Sequence, residues 1–261
     1  MPVRHPIIMG ILNVTPDSFY DGGSYEAVDD ALKRAKAMVS EGAEIIDLGG
    51  ESTRPNHTEI DGETEWSRIK DALAQMSKLD VKISVDTHKL DVAKLALEHG
   101  ASILNDVCAF EHLDEAIELA KGYGAELVAM HNARTRPPSE NIVKDIAESF
   151  QRAIATAKKH NFDARNLILD VGIGFGTTPA QDIEIISRLN ELANGFRERI
   201  LIGASRKKFM SSFGERTPDD RLPCTLASTV FAYLNGCAIF RVHDVGANFD
   251  ALNFARTAHG R

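Results

Sequence analysis

A chain of 261 residues could hold two small domains or one large one, since a single α/β barrel alone runs to about 250 residues. Its 43% hydrophobic and 26% charged content excludes extensive disorder, and a net charge of -8 argues against nucleic acid or anionic lipid as general partners. Met1 to Pro6 show no basic segment leading into an apolar one, and no apolar run approaches about 18 residues, so neither a signal peptide nor a membrane span is expected and the cytoplasm is the default compartment.

In chain order, short apolar runs alternate with longer amphipathic ones. The candidate strands are Ile7 to Leu12, Glu44 to Leu48, Val81 to Val85, Ser102 to Leu104, Glu126 to Met130, Leu167 to Leu169, Ile200 to Ile202 and Ala238 to Val242. Their near-continuous Ile, Leu and Val content suits strands covered on both faces, as in a parallel sheet flanked by helices. Between Tyr25 and Glu41, Val28, Ala31, Leu32, Ala35, Met38 and Val39 form one helical stripe, with Gly42 as the stop. Trp66, Ile69, Leu73 and Met76 repeat that spacing after the second strand, and Ile142, Ile146, Phe150, Ala153, Ile154 and Ala157 do so after the fifth. No linker or low-complexity tract divides the chain, so residues 1–261 read as one domain. Eight β-then-α units fit a closed (β/α)8 TIM barrel, although an open doubly wound sheet has similar content.

The polar residues favour the barrel. Asn13 begins a loop after the first strand, Asp47 to Pro55 follow the second, and the next four strands lead into Asp86-Thr87, Asn105-Asp106, His131-Asn132 and Asp170. The seventh leads to Ser205-Arg206-Lys207-Lys208, and the eighth carries Arg241 and His243. Taken singly, an Asp or Asn at a strand end is as readily the N-cap of the next helix. Eight such endings in series describe a ring of hydrogen-bonding groups at one barrel mouth, whereas an open sheet gathers its ligands near one switch point.

Asp86, Asn105 and Asp170 together offer acceptors for a flat heterocycle rich in ring N–H and amino donors. Arg241 and His243 alternate with Val242, so a regular strand points both to one face, and with Arg54 they make a cationic patch suited to phosphate oxygens, or else to ion pairs with Asp244 or Glu51. The run Gly172-Ile173-Gly174-Phe175-Gly176 lacks dinucleotide-loop spacing; its glycines either admit a flat ligand or form a turn, and Phe175 either meets a planar ring or caps the core. The nine histidines show no zinc spacing, but Mg²⁺ shared between a pyrophosphate and one protein oxygen remains open. No G-x-S-x-G elbow accompanies Ser205, so a serine nucleophile is not expected. Cys108, Cys224 and Cys237 are odd in number, lack C-x-x-C spacing and read as buried reduced thiols.

Taken together and in order, the segments MGILNVTPDSFYDGG, DLGGESTRP, SVDT, ILND, LDVGIGFG, GASRKKF and FRVHDV resemble the signature set of the dihydropteroate synthase family over nearly the whole chain. The resemblance implies condensation of a dihydropterin-methyl pyrophosphate with 4-aminobenzoate, with Mg²⁺ near Asn13 and a homodimer built on barrel helices. It implies a pterin pocket of Asp86, Asn105, Met130, Asp170, Phe175 and Lys207, and a pyrophosphate site of Asn13, Thr53, Arg241 and His243. Phe19, Arg54, Pro55, Ser205 and Arg206 would hold the aminobenzoate, and Asp21, Arg54 and Lys207 would serve catalysis.

Three positions depart from the family's usual pattern: Val171 where it has proline, Thr177 where it has lysine, and Lys208 where many members have a small hydroxyl residue. The first two bear on loop shape, the third on affinity for aminobenzoate and sulfonamide-like mimics. Two alternatives share the pterin-binding expectation: a methyltetrahydrofolate-dependent methyltransferase, which needs no pyrophosphate cradle, and a non-catalytic pterin-binding protein.

Overall fold

The computed structural model describes residues 5–15, 24–51, 58–106, 112–214 and 217–259. Eight strands, β1 (Ile7–Asn13), β2 (Ile45–Gly49), β3 (Lys82–Asp86), β4 (Ile103–Asp106), β5 (Glu126–Met130), β6 (Leu167–Asp170), β7 (Arg199–Ile202) and β8 (Ile239–Val242), form a closed barrel in chain order. Every neighbouring pair is parallel, and β1 closes the ring by pairing with β8. The open-sheet alternative is thereby removed. Five of the observed strands run past the expected apolar runs by one or two residues, to Asn13, Gly49, Asp86, Asp106 and Asp170, because these residues still pair with their neighbours at the rim.

The crossovers are α1 (Ser24–Ser40), α2 (Gly62–Met76), α3 (Leu90–Glu98), α4 (Leu113–Tyr123), α5 (Ile142–Lys159), the pair α6 (Pro179–Ser187) and α7 (Leu189–Gly195), α8 (Leu222–Leu234) and α9 (Val245–His259). Their starts follow local chemistry. The Asp61 carboxylate accepts from the Thr64 amide at 2.7 Å, Asn141 caps α5 through the Lys144 amide at 3.1 Å, and Thr178 and Gln181 form a reciprocal capping box on α6. In α5, Ile142, Ile146, Phe150, Ala153 and Ala157 are buried and Ile154 is half-buried, as the helical spacing predicts.

Strand alternation separates two cores. Ile46, Leu48, Ile83, Val85, Leu104, Leu127, Leu169, Ile202 and Phe240 belong to the large cluster between strands and helices. Met9, Ile45, Ile103, Val128, Ile168, Leu201, Ala238 and Ile239 form a second cluster that fills the barrel interior. Two residues further along the same strands, the inward positions become Asp47, Asn105, Met130, Asp170 and Arg241. An apolar plug thus supports a polar layer one step nearer the C-terminal rim.

Candidate active site at the barrel mouth

Lateral pairing sets Asn13 beside Gly49, Gly49 beside Asp86 and Asp86 beside Asn105, so residues far apart in sequence share one level of the rim. Asp86, Asn105, Asp170 and Met130 are each at most 6% exposed, yet all sit at the C-terminal ends of their strands. From β8, Arg241 reaches across the barrel: its Nε donates to Asp47 Oδ2 at 2.6 Å and its Nη2 to Asp86 Oδ2 at 2.6 Å. Asn105 Nδ2 donates to the same Asp47 oxygen at 3.1 Å. Burial works against the charge on Arg241, but Asp47 and Asp86 more than offset it and hold the guanidinium above its usual pKa. Neither carboxylate expected as an alternative partner takes this arginine. Asp244 binds Arg206 and Glu51 binds Lys89.

Lys207 projects from the β7 loop beside the glycine run. Its stem is half-buried while its amine lies well inside the protein, where it donates to the Ile173 carbonyl and sits 4.6 Å from the Phe175 ring centroid. Burial lowers its pKa to about 8, with Asp170 opposing the shift. Burial in turn raises the pKa of Asp170, against the Gly172 amide, which donates at 2.9 Å, and the nearby charges of Lys207 and Arg241. Met130 and Phe175 pack together as a small apolar wall on this side.

The glycines of that run serve conformation and close approach at once. Gly172 has φ +71°, and a Cβ there would lie 1.8 Å from the His131 carbonyl oxygen; at Gly176, with φ +85°, it would lie 2.3 Å from the Ala133 carbonyl carbon. Val171, at the position where proline is usual, donates its amide to the Leu201 carbonyl at 3.4 Å, a link between β6 and β7 that proline could not make. Lys208 is exposed and opens the short helical turn Lys208–Phe213.

Two residues before Lys207, Ser205 Oγ lies 3.0 Å from His243 Nδ1, and Arg34 of α1 donates to the His243 carbonyl at 3.1 Å. β8 ends at Val242, so His243 stands just beyond the strand that carries Arg241. Arg206 has φ +59°, and its guanidinium is held by Asp244 at 2.6 and 2.9 Å and by Asp219 at 2.9 Å. The positive φ at a non-glycine residue is a strained backbone stabilised by these bonds.

Asn13, Asp86, Asn105, Met130, Asp170, Phe175, Ser205, Arg206, Lys207, Arg241 and His243 therefore all lie on C-terminal strand ends or the loops that follow them. Phe19, Asp21, Thr53, Arg54 and Pro55 lie outside the described residues, as does Cys108. One polar strand end serves packing instead. His131 is fully buried on the helix side, its Nδ1 2.9 Å from Ser149 Oγ of α5, and burial lowers its pKa to about 4 despite nearby Asp145. Cys224 and Cys237 are free thiols, and burial pushes the Cys237 thiol up.

Sequence reading gave Asp47 no role. It is fully buried, accepts from both Arg241 and Asn105, and leaves Oδ1 without a partner among the described residues. Its signal was available: it lies two residues beyond the interior Ile45 on the same strand face. Arg134, whose guanidinium carbon is 4.2 Å from the Phe175 ring centroid, gave no such signal, because that contact depends on how two loops meet.

Among the described residues no group of three or more His, Cys, Asp or Glu is placed to hold a metal ion. The carboxamide of Asn13 at the rim, with Oδ1 close over Gly49, fits a different case: one neutral oxygen for a cation that brings phosphate and water ligands with it.

Comparison with known proteins agrees with this geometry. The family model described as pterin binding enzyme matches residues 9–243. A dihydropteroate synthase from Staphylococcus haemolyticus is 41% identical over 246 residues, covering 92% of this chain and 90% of that protein. A probable bifunctional folylpolyglutamate synthase/dihydropteroate synthase from Haloferax volcanii is 42% identical over 254 residues; these cover 95% of this chain, and the chain spans only 30% of that longer protein. Among solved structures, dihydropteroate synthase from Clostridium difficile, crystallised in the presence of pteroic acid, superposes with a TM-score of 0.93 at 38% identity, covering 99% of this chain and 98% of that one. The Xanthomonas albilineans dihydropteroate synthase with 4-aminobenzoic acid also gives 0.93, at 32% identity, covering 99% and 95%.

Proposed function

This chain belongs to the pterin binding enzyme family, and from that premise we propose that it is a transferase condensing 6-hydroxymethyl-7,8-dihydropterin pyrophosphate with 4-aminobenzoate to give 7,8-dihydropteroate and pyrophosphate. The observation that carries the reading is the buried acceptor layer of Asp47, Asp86, Asn105 and Asp170, flanked by Lys207 and Arg241, at the mouth of a chain this similar to named synthases. The synthase relatives favour condensation over methyl transfer.

The carboxylates and the Asn105 amide accept from the pterin's ring N–H and amino groups, and the Lys207 ammonium donates to its carbonyl edge. Met130 and Phe175 cover the ring's faces. The methylene C–O bond breaks, its electron pair leaving with pyrophosphate; the arylamine nitrogen then bonds to that carbon and loses a proton. Acceptors around the pterin stabilise the positive charge left on it, while Arg241, His243, Asn13 and Thr53 bind the departing anion. Asn13 would hold Mg²⁺, which would supply positive charge against the negative charge developing on the leaving group. Ser205, Arg206, Phe19, Arg54 and Pro55 would orient the aminobenzoate, with Asp21 and Arg54 excluding water that competes with the amine.

No helix among the described residues is long and apolar enough to cross a membrane, and the water-soluble substrates suit a cytoplasmic enzyme. The whole of residues 1–261 would act as one domain. Phe231 and Leu234 on α8, with Phe249 and Phe254 on the adjoining α9, are exposed large apolar side chains, which supports a homodimer built on these helices.

Purified protein given both substrates should form dihydropteroate with one pyrophosphate released per turnover, and Asp86→Asn should lower kcat/KM by about a hundred-fold or more. Tight pterin binding by the wild type with no product from aminobenzoate would refute the reading.

A further inference from the structure

The Gly172–Gly176 loop is held by two side chains to which the reaction assigns no part. The Thr177 hydroxyl donates to Asp182 Oδ1 at 2.5 Å, and the Gly174 amide donates to both the Thr177 oxygen and the same Asp182 oxygen, each at 2.9 Å. Asp182 is 3% exposed, in the first turn of α6, so its carboxylate is taken out of water to make this three-centre knot. On the other side of Gly174, a Cβ would lie 3.3 Å from Lys207 Cδ, so the loop backbone is the wall along which the lysine stem runs. The next carbonyl back, Ile173, accepts from Lys207 Nζ, and the next side chain on, Phe175, carries the ring beside the amine.

We propose that Thr177 and Asp182 are a positioning pair for Lys207: they fix the Gly174 amide and, through it, the Ile173 carbonyl and the Phe175 ring that present the lysine amine to the pterin. The inference rests on the reading of Lys207 as a pterin contact. It also gives the departure at Thr177 a physical role. A lysine there would lack the hydroxyl that both accepts from Gly174 and donates to Asp182.

Asp182 acts on Lys207 by charge as well as by geometry. Around the amine stand Asp170 from β6, Arg241 from β8, Arg134 from the loop after β5, and Asp182 from α6. The two carboxylates favour the ammonium and the two guanidinium groups oppose it. Removing the Asp182 charge therefore makes Lys207 lose its proton at lower pH. Removing the Thr177 hydroxyl disturbs the loop and leaves the charge in place.

The test is equilibrium binding of the dihydropterin pyrophosphate, followed by pterin fluorescence between about pH 6 and pH 10, for the wild type and three variants. Wild-type affinity should fall as pH rises through the Lys207 pKa of about 8. Asp182→Asn, which is isosteric, should move that midpoint down by roughly half a unit or more. Thr177→Val should weaken binding about five-fold at neutral pH without moving the midpoint, and Thr177→Ser should restore it. A midpoint unmoved in Asp182→Asn, or undiminished affinity in a folded Thr177→Val, overturns the pair's role. If Thr177→Val does not fold, the Asp182→Asn midpoint alone decides. A wild type that binds no pterin at any pH overturns the proposed function and this inference together, whereas wild-type binding with an immobile midpoint overturns this inference alone.

Discussion

Asp47, Asp86 and Arg241 are a buried ion cluster whose parts come from three strands, and its energetics are asymmetric. Forming such a cluster contributes little net stability, because desolvation cancels much of the Coulomb gain, but removing one member strands the others. Arg241→Met should therefore destabilise the fold by about 3 to 5 kcal/mol in urea denaturation, since Asp47 and Asp86 both lose their cation. An unchanged midpoint would mean that water already screens these carboxylates. A pterin offering N–H donors to the same oxygens would share them with Arg241, which ties substrate binding to the cluster that holds the mouth together.

Elements rather than single residues shape the lysine side of the site. The loop after β6 must turn back under the β5 loop, and the glycines at 172 and 176 let two backbones touch where a side chain would collide. Gly172→Ala combines a left-handed backbone with a Cβ driven into the His131 carbonyl. Its expected cost is at least about 2 kcal/mol, read as a lower melting temperature, together with weakened pterin binding. A variant as stable as the wild type would show that the loop tolerates relaxation and does not rely on the close approach. The residue pattern of this loop admits two arrangements. Its glycines fit either a ligand wall or a turn, and the structure shows the turn, with Gly174 against the Lys207 stem.

At the scale of the whole molecule, α8 and α9 together carry four exposed large apolar side chains, Phe231, Leu234, Phe249 and Phe254. Phe254 is 76% exposed on α9, the helix that packs beside α8. Sedimentation should find wild-type dimers and Phe254→Glu monomers, because a charge placed in an apolar interface is desolvated without a partner. A monomeric wild type at micromolar concentration would remove this face from the dimer reading.

Much of the architecture was legible because it depends on near-neighbour pattern. Ile-, Leu- and Val-rich runs separated by stripes such as Ile142, Ile146 and Phe150 specify strands covered on both faces and the helices that cover them, and polar residues at successive strand ends indicate where a site gathers. The chain's pattern also determined that Asp86, Asn105 and Asp170 end strands and that Lys207 and Arg241 accompany them. Pattern could not say which side chain meets which. Barrel closure brings β8 against β1 and aims Arg241 across the interior at Asp47 and Asp86, so a contact spanning 194 residues of sequence was decided by register and shear. His131 and Asp170 look alike as polar strand ends, yet alternation turns one toward α5 and the other into the mouth. Sequence carries the period of the strands, while only the closed tertiary structure supplies the phase that makes a polar residue part of a site or part of the packing.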